Sequence, residues 1–476
     1  MPTLRYFGVQ LDQHLTGMKQ IEHAQAKTTE MIAALGPIAG STWGSPYLIP
    51  AKCTQQSYGR RSHLPVLHGL YRHRWGFKAA GNAARKALES IQHRALDRIA
   101  GAFRTTSRAA LEICLNIPPP MIAMESAAKE SYLRIATSPF MASLIEIRRS
   151  GQRPAPMNAK ERRMRWFTNP GQDPLTSPLE QWGRLTTVSQ NRLEVIHPHV
   201  TSPWWSGLKS HIAETQEDAL AAHQTAVQSG ADIIAYTDGS MTEQGVGAAV
   251  VSLLGRQAVH IGSPATHTVY AAELRGIEMA LTQICNTSGP TSQYSHQTYT
   301  AIIFTDNQAA IQACSAPGRS SGQYILSEIT RTASQLQERG WDIWLHWLPG
   351  HEGIYGNECA DALAKGAAIS PAPNDVEEPT LMASTRRALQ IEAASAWKSE
   401  WAIPTHGNSL RRLWKEPSKA PMQLYQGLQR AASSILIHKQ TGKIAQASYL
   451  VTFNAMELTG CSCGRGRQDI RYVLLH

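Results

Sequence analysis

The middle of the chain carries a regular alternation of apolar runs and helical stripes. Short apolar runs bounded by glycine or polar residues predict five strands, at residues 233–237, 245–255, 257–262, 301–305 and 341–348. Apolar positions at helical spacing predict three helices, at residues 268–285, 324–339 and 356–368. Three hairpin-linked strands come first, and strands then alternate with helices. This order predicts an α/β fold with a mixed sheet and helices on both faces.

The pattern is irregular outside this region, and the chain therefore divides into four predicted segments. These are a mostly helical segment (1–150), a connector rich in Pro, Arg and Trp (151–228), the α/β segment (229–369) and a basic C-terminal tail (370–476). We expect the flanking segments to be mainly helical or poorly ordered, and the connector to be poorly structured over residues 151–210.

Composition excludes several classes of protein. The chain has 476 residues, of which 42% are hydrophobic, so there is material for a sizeable core. No apolar run approaches the roughly 18 residues that a membrane span needs, and the first residues lack the apolar stretch of a secretory signal. Seven scattered cysteines do not form a disulfide framework. We expect an intracellular protein without membrane contact; the sequence does not distinguish nucleus from cytoplasm or give the oligomeric state.

Charge is distributed unevenly along the chain. The net charge is +10, but residues 229–369 contain twelve acidic and six basic side chains and carry −6, so the remainder carries +16. A basic chain around an acidic module favours a polyanionic partner that is bound mainly by the flanks. The acidic module needs an explanation of its own, and metal ligation is one.

Two of the predicted strands end in an aspartate. Asp238 follows the apolar run 233–237, and Asp306 follows the run 301–305. If the two strands are parallel neighbours, both carboxylates lie at the C-terminal edge of the sheet, where α/β proteins bind ligands. Two adjacent carboxylates repel each other unless a proton or a cation lies between them. For either motif alone, an ordinary turn residue is an equally good explanation.

Glu273 favours the ligand-binding interpretation. It lies in a helical stripe formed by Val269, Glu273, Ile277, Ala280 and Ile284. A glutamate within an apolar stripe is costly to bury unless it is paired or bound to a cation. The alternative is a glutamate at the rim that is paired with a basic side chain, but Arg275 is not on that face.

A fourth acidic residue and a histidine follow the last predicted strand. His351 lies in a glycine-rich loop, and Asp361 lies ten residues later in the final helix. Either residue alone would be an ordinary surface residue. Together they add a carboxylate and an imidazole that titrates near neutral pH.

Residues 231–369 resemble a type 1 ribonuclease H domain. The resemblance is carried by four motifs in order: 236–240 (Tyr-Thr-Asp-Gly-Ser), 271–281 (Ala-Ala-Glu-Leu-Arg-Gly-Ile-Glu-Met-Ala-Leu), 304–308 (Phe-Thr-Asp-Asn-Gln), and 347–353 with 356–365. It implies a five-stranded mixed sheet with flanking helices. It also implies that Asp238, Glu273, Asp306 and Asp361 are the catalytic carboxylates and that His351 is the mobile catalytic histidine.

The resemblance implies an endonuclease that hydrolyses the RNA strand of RNA–DNA hybrids, leaving a 3′-hydroxyl and a 5′-phosphate. The four carboxylates are expected to bind two Mg²⁺ ions, with Asp238 as the bridging ligand and Mn²⁺ as a substitute. His351 is expected to assist proton transfer or product departure. Contacts to the RNA strand are expected from Gly239, Ser240, Asn307 and Gln308.

The flanks resemble parts of a non-LTR retrotransposon polyprotein. Residues 3–12 are similar to the segment after the reverse transcriptase core, and residues 86–119 are similar to its thumb and connection. The chain contains no Asp-Asp pair, so we expect no polymerase activity. An equally good interpretation of the N-terminal part is a disordered or decayed remnant.

The C-terminal end resembles the Cys/His knuckle of such elements, but incompletely. Cys461 and Cys463 are present, Tyr472 stands where the family has His, and His476 is the only further candidate ligand. Structural zinc normally requires four protein ligands. We therefore expect no bound zinc.

Two other functions compete with the hydrolase. One is a catalytically inactive, nucleic-acid-binding remnant of a retroelement, which the irregular flanks favour. The other is a basic RNA-packaging protein whose acidic block is only structural. The presence of all the expected acidic residues favours the enzyme.

Overall fold

The computed structural model describes most of the chain from residue 78 onward and short pieces before it. The described residues are 3–6, 9–12, isolated positions between 19 and 33, 78–140, 193–202, 204–287, 298–370, 378–404, 408–451, and the single positions 460, 464, 466 and 467. Their contacts form two compact units, one within 131–388 and the other within 1–130 and 389–476. Cys461, Cys463, Tyr472 and His476 lie outside the described residues, and so does residue 203.

A six-stranded mixed sheet forms the centre of the 131–388 unit. Its strands are β3 (Lys209–His211), β4 (Ile233–Met241), β5 (Val246–Ser252), β6 (Gly255–Gly262), β7 (Tyr299–Thr305) and β8 (Trp341–Trp347). They lie in the order β3-β8-β7-β4-β5-β6. The β4–β5–β6 pairs are antiparallel, whereas β4–β7, β7–β8 and β3–β8 are parallel.

Helices cover both faces of this sheet. They are α4 (Gln216–Gln228), α5 (Val269–Asn286), α6 (Gln308–Ser315), α7 (Gln323–Glu338) and α8 (Tyr355–Ile369). Because side chains alternate along a strand, Ile303 of β7 packs with α5 and α7, whereas its neighbour Phe304 packs on the other face with Ala226 of α4. The two faces thus have separate apolar clusters, and the larger one lies under α5 and α7.

The predicted mixed sheet with helices on both faces is confirmed. The five predicted strands correspond to β4 to β8, and the predicted helices correspond to α5, α7 and α8. The sheet has six strands rather than the five that the resemblance implies. The sixth, β3, has three residues that are all exposed, so no apolar run marks it in the sequence.

The second unit is mainly helical. Its helices are α1 (Lys78–Ala100), α2 (Arg108–Cys114), α3 (Pro120–Ala136), α9 (Met382–Ala402), α10 (Asn408–Leu413), α11 (Ala420–Gln423), α12 (Arg430–Thr441) and α13 (Ala447–Leu450). The division between the two units falls within α3 and α9. The N-terminal strands β1 (Thr3–Tyr6) and β2 (Val9–Asp12) pair antiparallel.

The core of this second unit combines residues that are distant in the sequence. Leu96 and Leu111, from α1 and α2, are buried in one cluster with Trp401, Leu410 and Ile437 from the C-terminal helices. The division of the chain into four segments stays a prediction. Contacts group the described residues into the two units given above. Helices from the predicted tail pack with helices from the predicted N-terminal segment. Among the described residues, no helix combines the length and apolarity that crossing a bilayer requires.

A buried glutamate ties two flanking stretches to the α/β unit. Glu194 is 1% exposed, and its carboxylate accepts hydrogen bonds from Ser321 Oγ (2.5 Å), Gly322 N (2.8 Å) and Met382 N (2.6 Å). Burial raises the pKa of Glu194, and the hydrogen bonds oppose that rise. The stretch around Glu194 therefore belongs to the folded unit, whereas residues 151–192 of the predicted connector lie outside the described residues.

Replacing Glu194 by alanine should lower the free energy of unfolding by about 2–4 kcal/mol, because two buried backbone N–H groups and the Ser321 hydroxyl lose their acceptor. Chemical denaturation of the full chain measures this. Glu214 is exposed, so Glu214→Ala is a matched control that should change the free energy of unfolding by less than about 0.5 kcal/mol. Equal effects of the two substitutions would contradict the anchoring role of Glu194.

Candidate active site

Three predicted site residues converge at one edge of the sheet. β4 and β7 are parallel neighbours, and Tyr236 pairs with Phe304 in their register. Asp238 and Asp306 each lie two residues beyond that pair, so their side chains emerge at the same level. Glu273 reaches them from the second turn of α5. One carboxylate oxygen from each of these three residues lies within 4.8 Å of the others.

Close approach of α5 to β4 brings Glu273 to this position. A Cβ atom added to Gly239 would lie 2.6 Å from the backbone nitrogen of Glu273 and 2.8 Å from Ala272 Cβ, distances that real Cβ atoms do not adopt. The Gly239 backbone also acts to lower the pKa of the Glu273 carboxyl group. The glycine at this position is therefore required by packing against α5, whatever else it contacts.

Neighbouring side chains fix the carboxyl groups further. The Thr305 hydroxyl donates a hydrogen bond to Glu273 Oε2 (3.1 Å), and the Trp347 indole N–H donates to the backbone oxygen of Asp306 (3.0 Å). The loop after β8 also passes close to Asp306, since a Cβ atom on Gly350 would lie 3.0 Å from Asp306 Oδ2. The cluster thus has a defined geometry on rigid elements.

Burial raises the pKa of all three carboxyl groups, and repulsion from neighbouring carboxylates adds to the rise. The pKa of Asp238 rises to about 7, because of burial first and then the charges of Asp306 and Asp361. The pKa of Glu273 rises well above its ordinary value, again through burial first and then Asp306 and Asp238. Burial is also the largest cause of the raised pKa of Asp306. A cation at this site would compensate the negative charge that burial makes unfavourable.

Asp361 lies beside this cluster in a second group. It forms an ion pair with Lys365 (2.7 Å), and its carboxylate lies within 4.8 Å of ligand atoms of His351 and Glu358. Asp361 is close enough to raise the pKa of both Asp238 and Asp306. Of the four predicted carboxylates, three therefore form one cluster, and the fourth, that of Asp361, lies in a second group beside it. Glu358 and Lys365 were missed in the sequence, where their α8 positions gave no signal beyond ordinary surface charge.

His351 is an exposed residue of the loop between β8 and α8. Its φ of 62° lies in the left-handed region, which is uncommon for residues other than glycine. Its charge acts to lower the pKa of Asp306 and Asp238, which indicates that the imidazole is near both carboxyl groups. This is a position from which an imidazole can exchange protons with a ligand at the rim.

A comparison with protein families agrees with this geometry. Residues 230–369 match the family described as RNase H. These residues form an RNase H-like domain. No curated protein matched the chain.

The residues predicted to contact RNA lie around the rim of the RNase H-like domain's carboxylate cluster. Ser240 is a partly exposed residue of β4 opposite Gly247. Asn307 caps α6, its side chain accepting from Ala310 N (3.0 Å), and Gln308 is the exposed first residue of α6. Gly239 is turned towards α5, as described above. A role of these four residues in binding nucleic acid stays a prediction.

Metal-free protein should become more stable when Asp238 is replaced by asparagine. The native pKa of about 7 exceeds the ordinary value of 3.8, so the native state holds this proton more tightly and stability falls as pH rises between the two values. We expect Asp238→Asn to raise the melting temperature in EDTA at pH 8 by about 2–6 °C, with a smaller gain at pH 5.

The matched control for this measurement is Glu243→Gln, which neutralises an exposed carboxyl group in the turn after β4. It should leave the melting temperature unchanged at both pH values. An Asp238→Asn protein that melts at or below the wild-type temperature at pH 8 would contradict the repulsion described above.

Proposed function

We propose that the RNase H-like domain hydrolyses the RNA strand of RNA–DNA hybrids, using divalent metal ions held by its carboxylates. The family match supports action on RNA–DNA hybrids in general terms. The single observation that carries the proposal is the cluster of Asp238, Glu273 and Asp306, whose oxygens lie within 4.8 Å of one another, with Asp238 and Glu273 buried and Asp306 partly buried. Acidic groups held together in this way are costly, and metal binding explains why they are kept together.

The donor set fits Mg²⁺, with Mn²⁺ as a substitute. All three groups offer carboxylate oxygens, which are the ligands that hard divalent ions prefer. Asp238 would be the shared ligand of two ions, with Glu273 and Asp306 beside it and Asp361 on the rim. Bound there, two such ions supply an activated water and stabilise the leaving oxygen of a phosphodiester.

The protein's own groups then orient the substrate and move protons. The exposed His351 imidazole would exchange a proton near the 3′-oxygen of the scissile phosphate or assist departure of the 5′-phosphate product. Gly239, Ser240, Asn307 and Gln308 would contact the RNA strand around its 2′-hydroxyl, the group that distinguishes RNA from DNA. The domain itself is acidic, so affinity for the hybrid would come from the basic flanks and weaken with salt.

The wider context of the domain is a separate proposal. We infer that the chain is the C-terminal part of a non-LTR retrotransposon polyprotein without polymerase activity of its own. Its support is the sequence resemblance at residues 3–12 and 86–119. These residues include the β1–β2 pair, part of α1 and all of α2, and side chains of both helices lie in one buried apolar cluster.

Cleavage of a labelled RNA–DNA hybrid by the full chain tests the proposed activity. With Mg²⁺ we expect cuts in the RNA strand only, ending in a 3′-hydroxyl and a 5′-phosphate. Asp238→Asn should lower the rate by more than about 100-fold, since a metal ligand is worth several kcal/mol in the transition state. Glu243→Gln should cleave like the wild type.

The outcomes of this assay separate the competing functions. Binding of the hybrid without metal-dependent cleavage would favour the inactive remnant. Equal binding of single strands and hybrids, unchanged when EDTA is added, would favour an RNA-packaging protein. Either result would overturn the hydrolase.

Asp361→Asn should reduce the cleavage rate less than Asp238→Asn, by about tenfold. Asp361 lies in the second group, where it is paired with Lys365. The rates of the two variants at saturating Mg²⁺ provide the measurement. A loss for Asp361→Asn equal to that for Asp238→Asn would mean that Asp361 binds metal as directly as Asp238.

A further inference from the structure

Two threonines occupy equivalent positions in the sequence of the site. Thr237 precedes Asp238 at the end of the β4 apolar run, and Thr305 precedes Asp306 at the end of β7. Both side chains are fully buried. A hydroxyl that is taken out of water needs hydrogen-bond partners, so the partner of each hydroxyl indicates what it does.

The partners of the two hydroxyls differ. Thr237 Oγ1 donates to the backbone oxygen of Phe304 (3.2 Å), a bond that joins β4 to β7. Thr305 Oγ1 donates instead to the carboxylate of Glu273 (3.1 Å), which comes from a helix 32 residues earlier in the chain. One threonine thus links two strands, whereas the other links a strand to a catalytic candidate.

The direction of the Thr305 hydroxyl proton is set by a second hydrogen bond. The backbone N–H of Asn307 donates to Thr305 Oγ1 (3.3 Å), which occupies an acceptor site of the oxygen. The hydroxyl proton is thereby directed to Glu273 Oε2. Asn307 is itself held as the cap of α6, and the Thr305 backbone oxygen accepts from Leu348 N (3.0 Å). The backbone of Thr305 and the residue Asn307 are therefore both held in place by hydrogen bonds.

The Glu273 carboxyl group needs such support. It is 2% exposed and faces Asp238 and Asp306, which repel it when they are charged. The Gly239 backbone acts from β4 to lower its pKa, and the Thr305 hydroxyl donates a hydrogen bond to it from β7. These are the two strands that carry the aspartates, and the Thr305 hydrogen bond fixes the orientation of the carboxylate relative to them.

We propose that Thr305 is a positioning residue: its hydroxyl orients the Glu273 carboxylate so that the three acidic side chains present their oxygens to one metal site. Thr237, despite its equivalent place in the sequence, has no part in this. The inference rests on the proposed function, because it assigns Thr305 a role in the metal binding that the hydrolase requires. Hydrogen-bond partners of metal ligands typically contribute a factor of about 10 to 100 in metal affinity or activity.

Titration of the full chain with Mn²⁺ in a calorimeter, without nucleic acid, tests this role. The heat that is lost in Asp238→Asn defines binding at the site. Thr305→Val keeps the shape of the side chain and removes the hydroxyl, and we expect it to weaken Mn²⁺ binding at least about tenfold. Thr305→Ser keeps the hydroxyl and should restore binding to within about threefold of the wild type.

Thr237→Val is the matched control, because it removes a buried hydroxyl of the same type one residue before the other aspartate. It should lower the melting temperature about as much as Thr305→Val while leaving Mn²⁺ affinity and hybrid cleavage unchanged. Circular dichroism checks that each variant folds; if Thr305→Val does not, Thr305→Ala replaces it.

The results distinguish failure of this inference from failure of the proposed function. Wild-type affinity in the folded Thr305 variant, or an equal loss in Thr237→Val, would overturn the role of Thr305 and leave the hydrolase intact. Absence of Mn²⁺ binding and of hybrid cleavage in the wild type would overturn both.

Discussion

Repulsion among carboxyl groups at one edge of the sheet sets the requirements that the surrounding fold has to meet. One oxygen each of Asp238, Glu273 and Asp306 lies within 4.8 Å of the others, Asp238 and Glu273 are buried, and the pKa of each group is raised. Such an arrangement is unfavourable by itself and persists only because the surrounding fold fixes it. A divalent cation removes this repulsion, because the carboxylates then bind the cation as ligands. The same feature that destabilises the metal-free domain therefore makes it a metal site.

Close approach of β4, β7 and α5 holds the three carboxyl groups in place. The parallel register of β4 and β7 sets the two aspartates at one level, and the absence of a side chain on Gly239 lets α5 lie against β4. The apolar cluster under α5 and α7 contains many fully buried side chains, including Leu274, Ile277 and Ile303. This core holds α5, and with it Glu273, against the sheet.

Flanking stretches extend the folded unit beyond the family match. Glu194 binds the N-terminus of α7 and the start of α9, and Glu378 forms an ion pair with Arg275 of α5 (2.6 Å). β3 adds a sixth strand next to β8. Separately, the helical unit buries side chains from residues 96–117 and 401–437 in one core. The stretches that look like a connector and a tail in the sequence thus take part in tertiary structure wherever they are described.

The mixed sheet, its helices and the three acidic residues could be predicted from the order of amino acids, because local signals mark them: apolar runs stopped by Asp238 and Asp306, and a glutamate within an apolar helical stripe. How these groups meet depends on contacts that form in the folded chain. The tertiary structure separates Asp361 from the other three carboxylates, pairs it with Lys365, and gives Thr237 and Thr305 different partners although their local sequences match. It also adds β3, whose exposed residues carry no periodicity. Hydrogen-bond partners and strand neighbours are set by contacts between distant residues, and no local pattern of side chains encodes them.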